Sequence, residues 1–76
     1  MKEAVEKIVK SLVGEPDAVE VTESADGKNV RIEVRVADSD MGRVIGRQGR
    51  VVNAMRSLVQ LSASRQARRA QLEIVE

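Results

Sequence analysis

The order of apolar and polar residues predicts an amphipathic helix at the start of the chain. Residues 3–13 place apolar side chains at helical spacing, at Val5, Ile8, Val9 and Leu12. Gly14 follows where a C-terminal cap belongs, and Pro16 prevents continuation of the helix. We therefore expect the helix to end at Gly14.

Two later segments alternate apolar and polar residues at the two-residue period of a strand. The shorter covers residues 19–22 and the longer covers residues 30–36. Between them, the Asp26–Gly27 step supplies the positive φ angles that a hairpin turn needs. The sequence predicts an antiparallel hairpin with one buried face, and its other face is expected to expose Arg31, Glu33 and Arg35.

Helical spacing returns in a short segment from Met41 to Ile45, which Gly46 ends. Asp38, Ser39 and Asp40 stand just before it. Their side-chain oxygens are expected to cap the first free amides of this helix. A metal site at Asp38 and Asp40 is the less favoured interpretation.

A longer helix is predicted from Arg50 to about Ser64, and a last strand over residues 70–74. The apolar face expected to be buried consists of Val51, Ala54, Met55, Leu58, Val59, Leu61 and Ser62. Val52 and Val59 are open to two interpretations, as core residues or as an exposed strip for a partner.

The resulting order of elements is helix, strand, strand, helix, helix, strand, which indicates an α+β fold. The two helices before the last strand form a crossover long enough for that strand to return as a parallel neighbour. We expect a three-stranded mixed sheet with three helices on one face. A chain of 76 residues has room for one domain, spanning residues 1–76.

Composition narrows the classes of function. The chain contains no histidine, cysteine or aromatic residue, so the usual general base, thiol nucleophile and zinc ligands are missing. No enzymatic activity, cofactor or small-molecule substrate is expected. No apolar run is long enough for a signal peptide or a membrane span, so a cytoplasmic location without a membrane partner is the default expectation.

Charge is distributed unevenly along the chain. Residues 1–40 carry six basic and ten acidic residues, a net charge of −4, whereas residues 41–72 carry seven arginines and no acidic residue. Arginine suits phosphate because its planar guanidinium binds two oxygens at once. This asymmetry favours an anionic partner. For Arg65, Arg68 and Arg69 two roles remain open, contact with that partner or solvation of the last turn.

The segment Gly46-Arg47-Gln48-Gly49 joins the two helices with a glycine at each end. Glycines allow a phosphate to approach the backbone closely and permit conformations that point successive amides outward. The helix that begins near Arg50 adds its unpaired N-terminal amides. The spacing does not fit a nucleotide-hydrolysing phosphate loop, which needs four intervening residues and a following lysine.

The string Val-Ile-Gly-x-x-Gly-x-x-Val at residues 44–52 resembles the signature of KH domains, and the order of elements resembles their prokaryotic, type II arrangement. This resemblance covers essentially the whole chain and is strongest to small bacterial members with one domain. It implies a loop that clamps the backbone of single-stranded RNA beside a groove for about four nucleotides. Arg47 stands where a lysine is common in the family. The implied RNA-binding residues are Met41, Gly42, Arg43, Val44, Gly46, Arg47, Gln48, Gly49, Arg50 and Val51.

The resemblance also suggests further roles and partners. An RNA chaperone or post-transcriptional regulator is expected, with a possible homodimer or a heterodimer with another KH-containing protein. Two alternatives stay open. The chain could serve mainly as a protein-assembly module with weak RNA binding, or its two helices could bind duplex DNA as a helix-turn-helix.

Overall fold

A computed structural model describes residues 1–75 of the chain. Three α-helices and three strands follow the predicted order. Their bounds are α1 Lys2–Leu12, β1 Glu20–Asp26, β2 Asn29–Arg35, α2 Met41–Ile45, α3 Arg50–Arg65 and β3 Arg69–Val75. Three short 3₁₀ turns lie between these elements, at Pro16–Ala18, Asp38–Asp40 and Arg47–Gly49.

The strands form one mixed sheet in the order β1, β2, β3. β1 pairs antiparallel with β2, and β2 pairs parallel with β3. A two-residue loop closes the hairpin, with Gly27 at φ +62° in its first position, as a type II′ turn requires. The expected α+β fold with a three-stranded mixed sheet is confirmed.

The core lies between the sheet and the helices and is entirely aliphatic. Its side chains alternate along β2 at Val30, Ile32 and Val34 and are continued by Leu72 of β3. The opposite face of the sheet is polar, and there Arg31 donates a hydrogen bond of 2.6 Å to Glu73. Helices on one side and a polar face on the other follow from the strict alternation of β2.

The apolar face predicted for α3 is partly wrong. The buried residues form the stripe Val52, Met55, Val59 and Ala63. Leu58 and Leu61 instead remain 57% and 55% exposed. The helix is rotated so that small Ala63 packs toward the sheet while both leucines lie on its flank. Of the two interpretations of Val52 and Val59, burial in the core is the correct one.

Asp40 departs from its expected role as a cap of α2. No side-chain capping bond is present at the start of α2, and the Asp40 carboxylate accepts hydrogen bonds from the amides of Gly14 at 2.9 Å and Glu15 at 3.1 Å. α1 ends at Leu12 with Val13 extended, so Gly14 is not its cap either. Asp40 is 2% exposed and ties the segment after α1 to the start of α2.

The turn after α3 is held by backbone hydrogen bonds. Ala67 adopts a left-handed conformation with φ 56°, and the amide of Arg68 donates back to the Ala63 carbonyl at 2.8 Å. The amide of Arg69 then donates to the Lys28 carbonyl at 2.9 Å. These bonds fix the α3–β3 turn against the loop of the hairpin.

Replacing Asp40 with asparagine is expected to destabilise the fold. The substitution keeps the size of the side chain but presents an NH₂ donor to one of the two backbone donors, so one partly buried amide loses its acceptor. Hydrogen bonds to charged groups contribute about 1.5–3 kcal/mol, so unfolding in urea should show a loss of that order. Asp38→Asn is the control, because Asp38 is exposed and should change stability by less than about 0.5 kcal/mol. Equal stability of the two variants would contradict the role given to Asp40.

Candidate nucleic-acid interface

Gly46 allows α2 and α3 to approach closely. Its φ is +76°, and a Cβ atom at this position would lie 2.5 Å from Val51 Cγ2 and 2.9 Å from the Val51 backbone nitrogen. The Val51 backbone cannot move out of the way as a flexible side chain can. Any side chain at position 46 would therefore force the two helices apart.

The turn after Gly46 directs two residues into solvent. Arg47 and Gln48 are both exposed, and Gln48 adopts a left-handed conformation with φ 58° before Gly49 at φ 76°. Gly49 donates to the Gly46 carbonyl at 3.2 Å, whereas the amides of Arg47 and Gln48 have no backbone acceptor within residues 1–75. Successive free amides in such a turn form a concave site for an anion.

The N-terminus of α3 adds to this site. α3 runs for 16 residues from Arg50, whose amide donates to the Arg47 carbonyl, and Gly49 precedes it without a side chain that could accept from the amides that follow. These amides and the positive end of the helix dipole favour a bound anion. The turn and the helix start thus place polar hydrogens on the same surface.

Three arginines surround the turn. Arg47 and Arg50 are exposed and form no ion pair within the described part of the chain. Arg43 is oriented by Asp40, at 3.4 Å between Nη1 and Oδ1, while its side chain remains 61% exposed. Two mobile cations and one positioned cation are therefore available to an anionic ligand.

The apolar residues beside the turn differ in accessibility. Val44, one of the implied RNA-binding residues, is fully buried in the core, so its side chain is not accessible to a ligand. Met41 and Val51 are half-buried and stay accessible. Ile45, which the sequence did not single out, is 37% exposed. A helix of five residues has too few positions for spacing alone to identify its buried side.

Arg56 is a polar residue of the same region that sequence reasoning did not select. Its Nε donates to the Leu72 carbonyl at 3.1 Å, and its Nη1 donates to Asn53 Oδ1 at 3.3 Å. β3 pairs only with β2, so Arg56 reaches a strand at the edge of the sheet. Arg56 is one of seven arginines in residues 41–72, a segment without acidic residues, and this clustering is the sequence signal that could have identified it.

Residues 1–75 contain no group of three or more side chains suited to hold a metal ion. None of the helices in this part of the chain has the length and apolar character needed to cross a membrane.

The mixed sheet, the helices on one face and the Gly-x-x-Gly turn between α2 and α3 define a KH fold of type II. The sequence profile of the KH domain of KhpA/KhpB matches residues 2–74. The chain therefore belongs to the KhpA/KhpB family of KH domains.

Curated relatives are similar over their full length. The RNA-binding protein KhpA of Halalkalibacterium halodurans is 47% identical over 76 residues, which cover 100% of both chains. The RNA-binding protein KhpA of Caldanaerobacter subterraneus is 47% identical over 75 residues, covering 99% of this chain and 100% of the relative. The protein of the same name from Borreliella burgdorferi is 43% identical over 74 residues, covering 97% and 90%. Their names describe RNA binding and no catalysed reaction. No solved structure is significantly similar to the chain.

Alanine substitutions at two glycines of this region should change the free energy of unfolding in opposite directions. Gly46→Ala meets the Val51 backbone and a left-handed φ, so it should lower the free energy of unfolding by more than about 2 kcal/mol. Gly42 lies in α2 with nothing within 4 Å of an added Cβ, so Gly42→Ala should raise stability by about 0.5–1 kcal/mol. Urea denaturation of both variants tests this, and a tolerated Gly46→Ala would contradict the close approach.

Proposed function

We propose that this chain binds single-stranded RNA and that the turn from Gly46 to Gly49 holds the sugar-phosphate backbone. The observation that carries the proposal is the coincidence of free amides at Arg47 and Gln48 with the N-terminus of α3. The names of the relatives support RNA as the anion. Arg43, Arg47 and Arg50 supply the cations.

A single strand suits this surface better than a duplex. Met41, Ile45 and Val51 offer apolar area beside the turn on which an unpaired base can lie, and such bases are the usual target of sequence-specific RNA binding. The duplex DNA alternative requires α3 to present base-reading side chains along its length. On α3, the exposed Arg56 already donates to the Leu72 carbonyl and to Asn53, and the exposed Leu58 and Leu61 have no hydrogen-bonding groups.

Binding by this one surface is expected to be modest and sensitive to salt. About three phosphate contacts, from Arg43, Arg47 and Arg50, give a slope of about −2 for the logarithm of the binding constant against the logarithm of salt concentration. Binding of modest affinity fits an RNA chaperone or post-transcriptional regulator in the cytoplasm, which binds many strands and releases each of them quickly.

The double variant Arg47→Asp, Gln48→Asp is expected to lose RNA binding. It adds two carboxylates where the phosphate lies, and aspartate tolerates the left-handed conformation of position 48. Fluorescence anisotropy with a labelled pentauridylate should show at least a tenfold weaker affinity, with an unchanged circular dichroism spectrum.

The matched control is Lys2→Asp, Ala4→Asp. It changes the net charge by the same −3 at exposed positions in the first turn of α1, where acidic residues are favourable. The control should bind RNA nearly as the parent does. If both double variants lost affinity equally, net charge rather than the turn would explain binding. If neither did, the turn would not be the RNA site.

A second function, self-association, is favoured by the flank of α3. Leu58 and Leu61 stand three residues apart on one side of the helix and are both more than half exposed. Fully burying a leucine contributes about 1.5–3 kcal/mol, so pairing of two such helices is favourable. We propose that this flank binds a second copy of the chain or another KH-containing protein. Two weak RNA sites joined in this way gain avidity.

Sedimentation equilibrium across protein concentration tests this flank. The parent should shift from monomer to dimer, and Leu58→Glu, Leu61→Glu should remain monomeric because burial of two carboxylates is unfavourable. Asn53→Glu, Gln60→Glu is the control, since it adds the same charge to exposed positions of α3 that are not i, i+3 or i, i+4 neighbours of either leucine. A parent that stays monomeric throughout, or a control that dissociates equally, would contradict self-association through the leucines.

A further inference from the structure

A broad, open concavity lies away from the glycine turn. It has a volume of about 1220 Å³ and lies between the β1–β2 hairpin and the α3–β3 turn, and we call it the hairpin groove. α3 begins at the glycine turn and ends beside this groove. A helix of 16 residues is about 24 Å long, so the two surfaces are separated by about that distance.

The hairpin groove is strongly cationic. The charged residues that line it are Asp26, Lys28, Arg31, Arg68 and Arg69, four cations and one acid. Arg31 is already bonded to Glu73. Lys28, Arg68 and Arg69 form no ion pair with residues 1–75. Three cations that form no ion pair thus line one groove, against the single acid Asp26.

The backbone under these cations is fixed. The Arg69 amide donates to the Lys28 carbonyl at 2.9 Å, which joins the two segments that carry the charges. The Arg68 amide donates to Ala63, and this return requires the left-handed Ala67, a conformation that costs a non-glycine residue about 1–2 kcal/mol. The groove therefore does not need to be assembled by its ligand.

Cations also stabilise the negative C-terminal end of a helix, which could account for arginines after α3. That explanation suits Arg65, which lies in the last turn of α3 and outside the groove. It does not account for Lys28, which belongs to the hairpin loop. Cations that meet from two separate segments indicate an anion held between them.

We propose that the hairpin groove is a second site for the RNA backbone, which takes phosphates of the strand that the glycine turn holds. The proposal rests on RNA binding at that turn. A strand bound at the turn is present near the groove at high effective concentration, so even weak contacts there add to affinity. Arginine forks and a lysine point charge both suit phosphate oxygens.

The test compares labelled uridine strands of 5 and 15 nucleotides by anisotropy at several salt concentrations. Each phosphate contact on a single strand adds about −0.7 to the salt slope. The parent should give about −2 with the short strand and about −4 with the long one. The variant Lys28→Gln, Arg68→Gln, Arg69→Gln should give about −2 with both.

The matched control removes three exposed cations from α1, with the substitutions Lys2→Gln, Lys7→Gln and Lys10→Gln. It should keep the parent's slopes with both strands. A single variant, Lys28→Gln, keeps the test valid if the triple variant is unstable, because Lys28 lies outside every helix and strand. It should make the long-strand slope shallower by about 0.7.

The outcomes separate the two proposals. A long-strand slope that stays steep in the triple variant would overturn the groove site, because the gain would then come from a second protein molecule on the same strand. Equal parent slopes for both strands would overturn it as well. Failure of the parent to bind the short strand would instead contradict RNA binding at the glycine turn.

Discussion

The close contact between Gly46 and Val51 is the constraint on which the candidate site depends. The absence of a side chain at Gly46 lets the start of α3 pack directly after α2, with only a Cα atom facing the Val51 backbone. The chain must then make its turn in Arg47 and Gln48, which leaves their amides free and their side chains in water. A feature needed for helix packing thereby also creates the surface that we propose as an anion site.

Asp40 connects this turn to the rest of the molecule. Its buried carboxylate binds two amides that follow α1 and also orients Arg43, so the position of one cation beside the turn depends on the packing of a distant helix. The core contributes no aromatic surface, because the chain has none. On the proposed RNA surface, recognition combines phosphate contacts with small aliphatic patches. We expect such a surface to bind weakly by itself. A second copy of the chain, or a second contact on the same strand, would therefore raise the affinity.

Much of the fold could be predicted because its signals are local. The alternation of β2 and the glycine that ends α2 act through neighbouring residues, and the structure confirms both. The role of Asp40 could not be predicted, since its hydrogen bonds join residues 25 and 26 positions apart. The buried side of α3 was misjudged because Leu58 and Leu61 are apolar yet exposed, and spacing cannot separate a core stripe from an adjacent apolar flank. Burial of Val44 and the bond from Arg56 to Leu72 likewise depend on tertiary packing.

The most direct test of the central claim is a titration of isotope-labelled protein with a uridine pentanucleotide, followed through its amide signals by nuclear magnetic resonance. The account predicts that the largest shifts occur from Gly46 to Val52, where the free amides and the start of α3 meet. Shifts confined to the polar face of the sheet, at Arg31, Arg35 and Gln71, with none at the glycine turn, would contradict it.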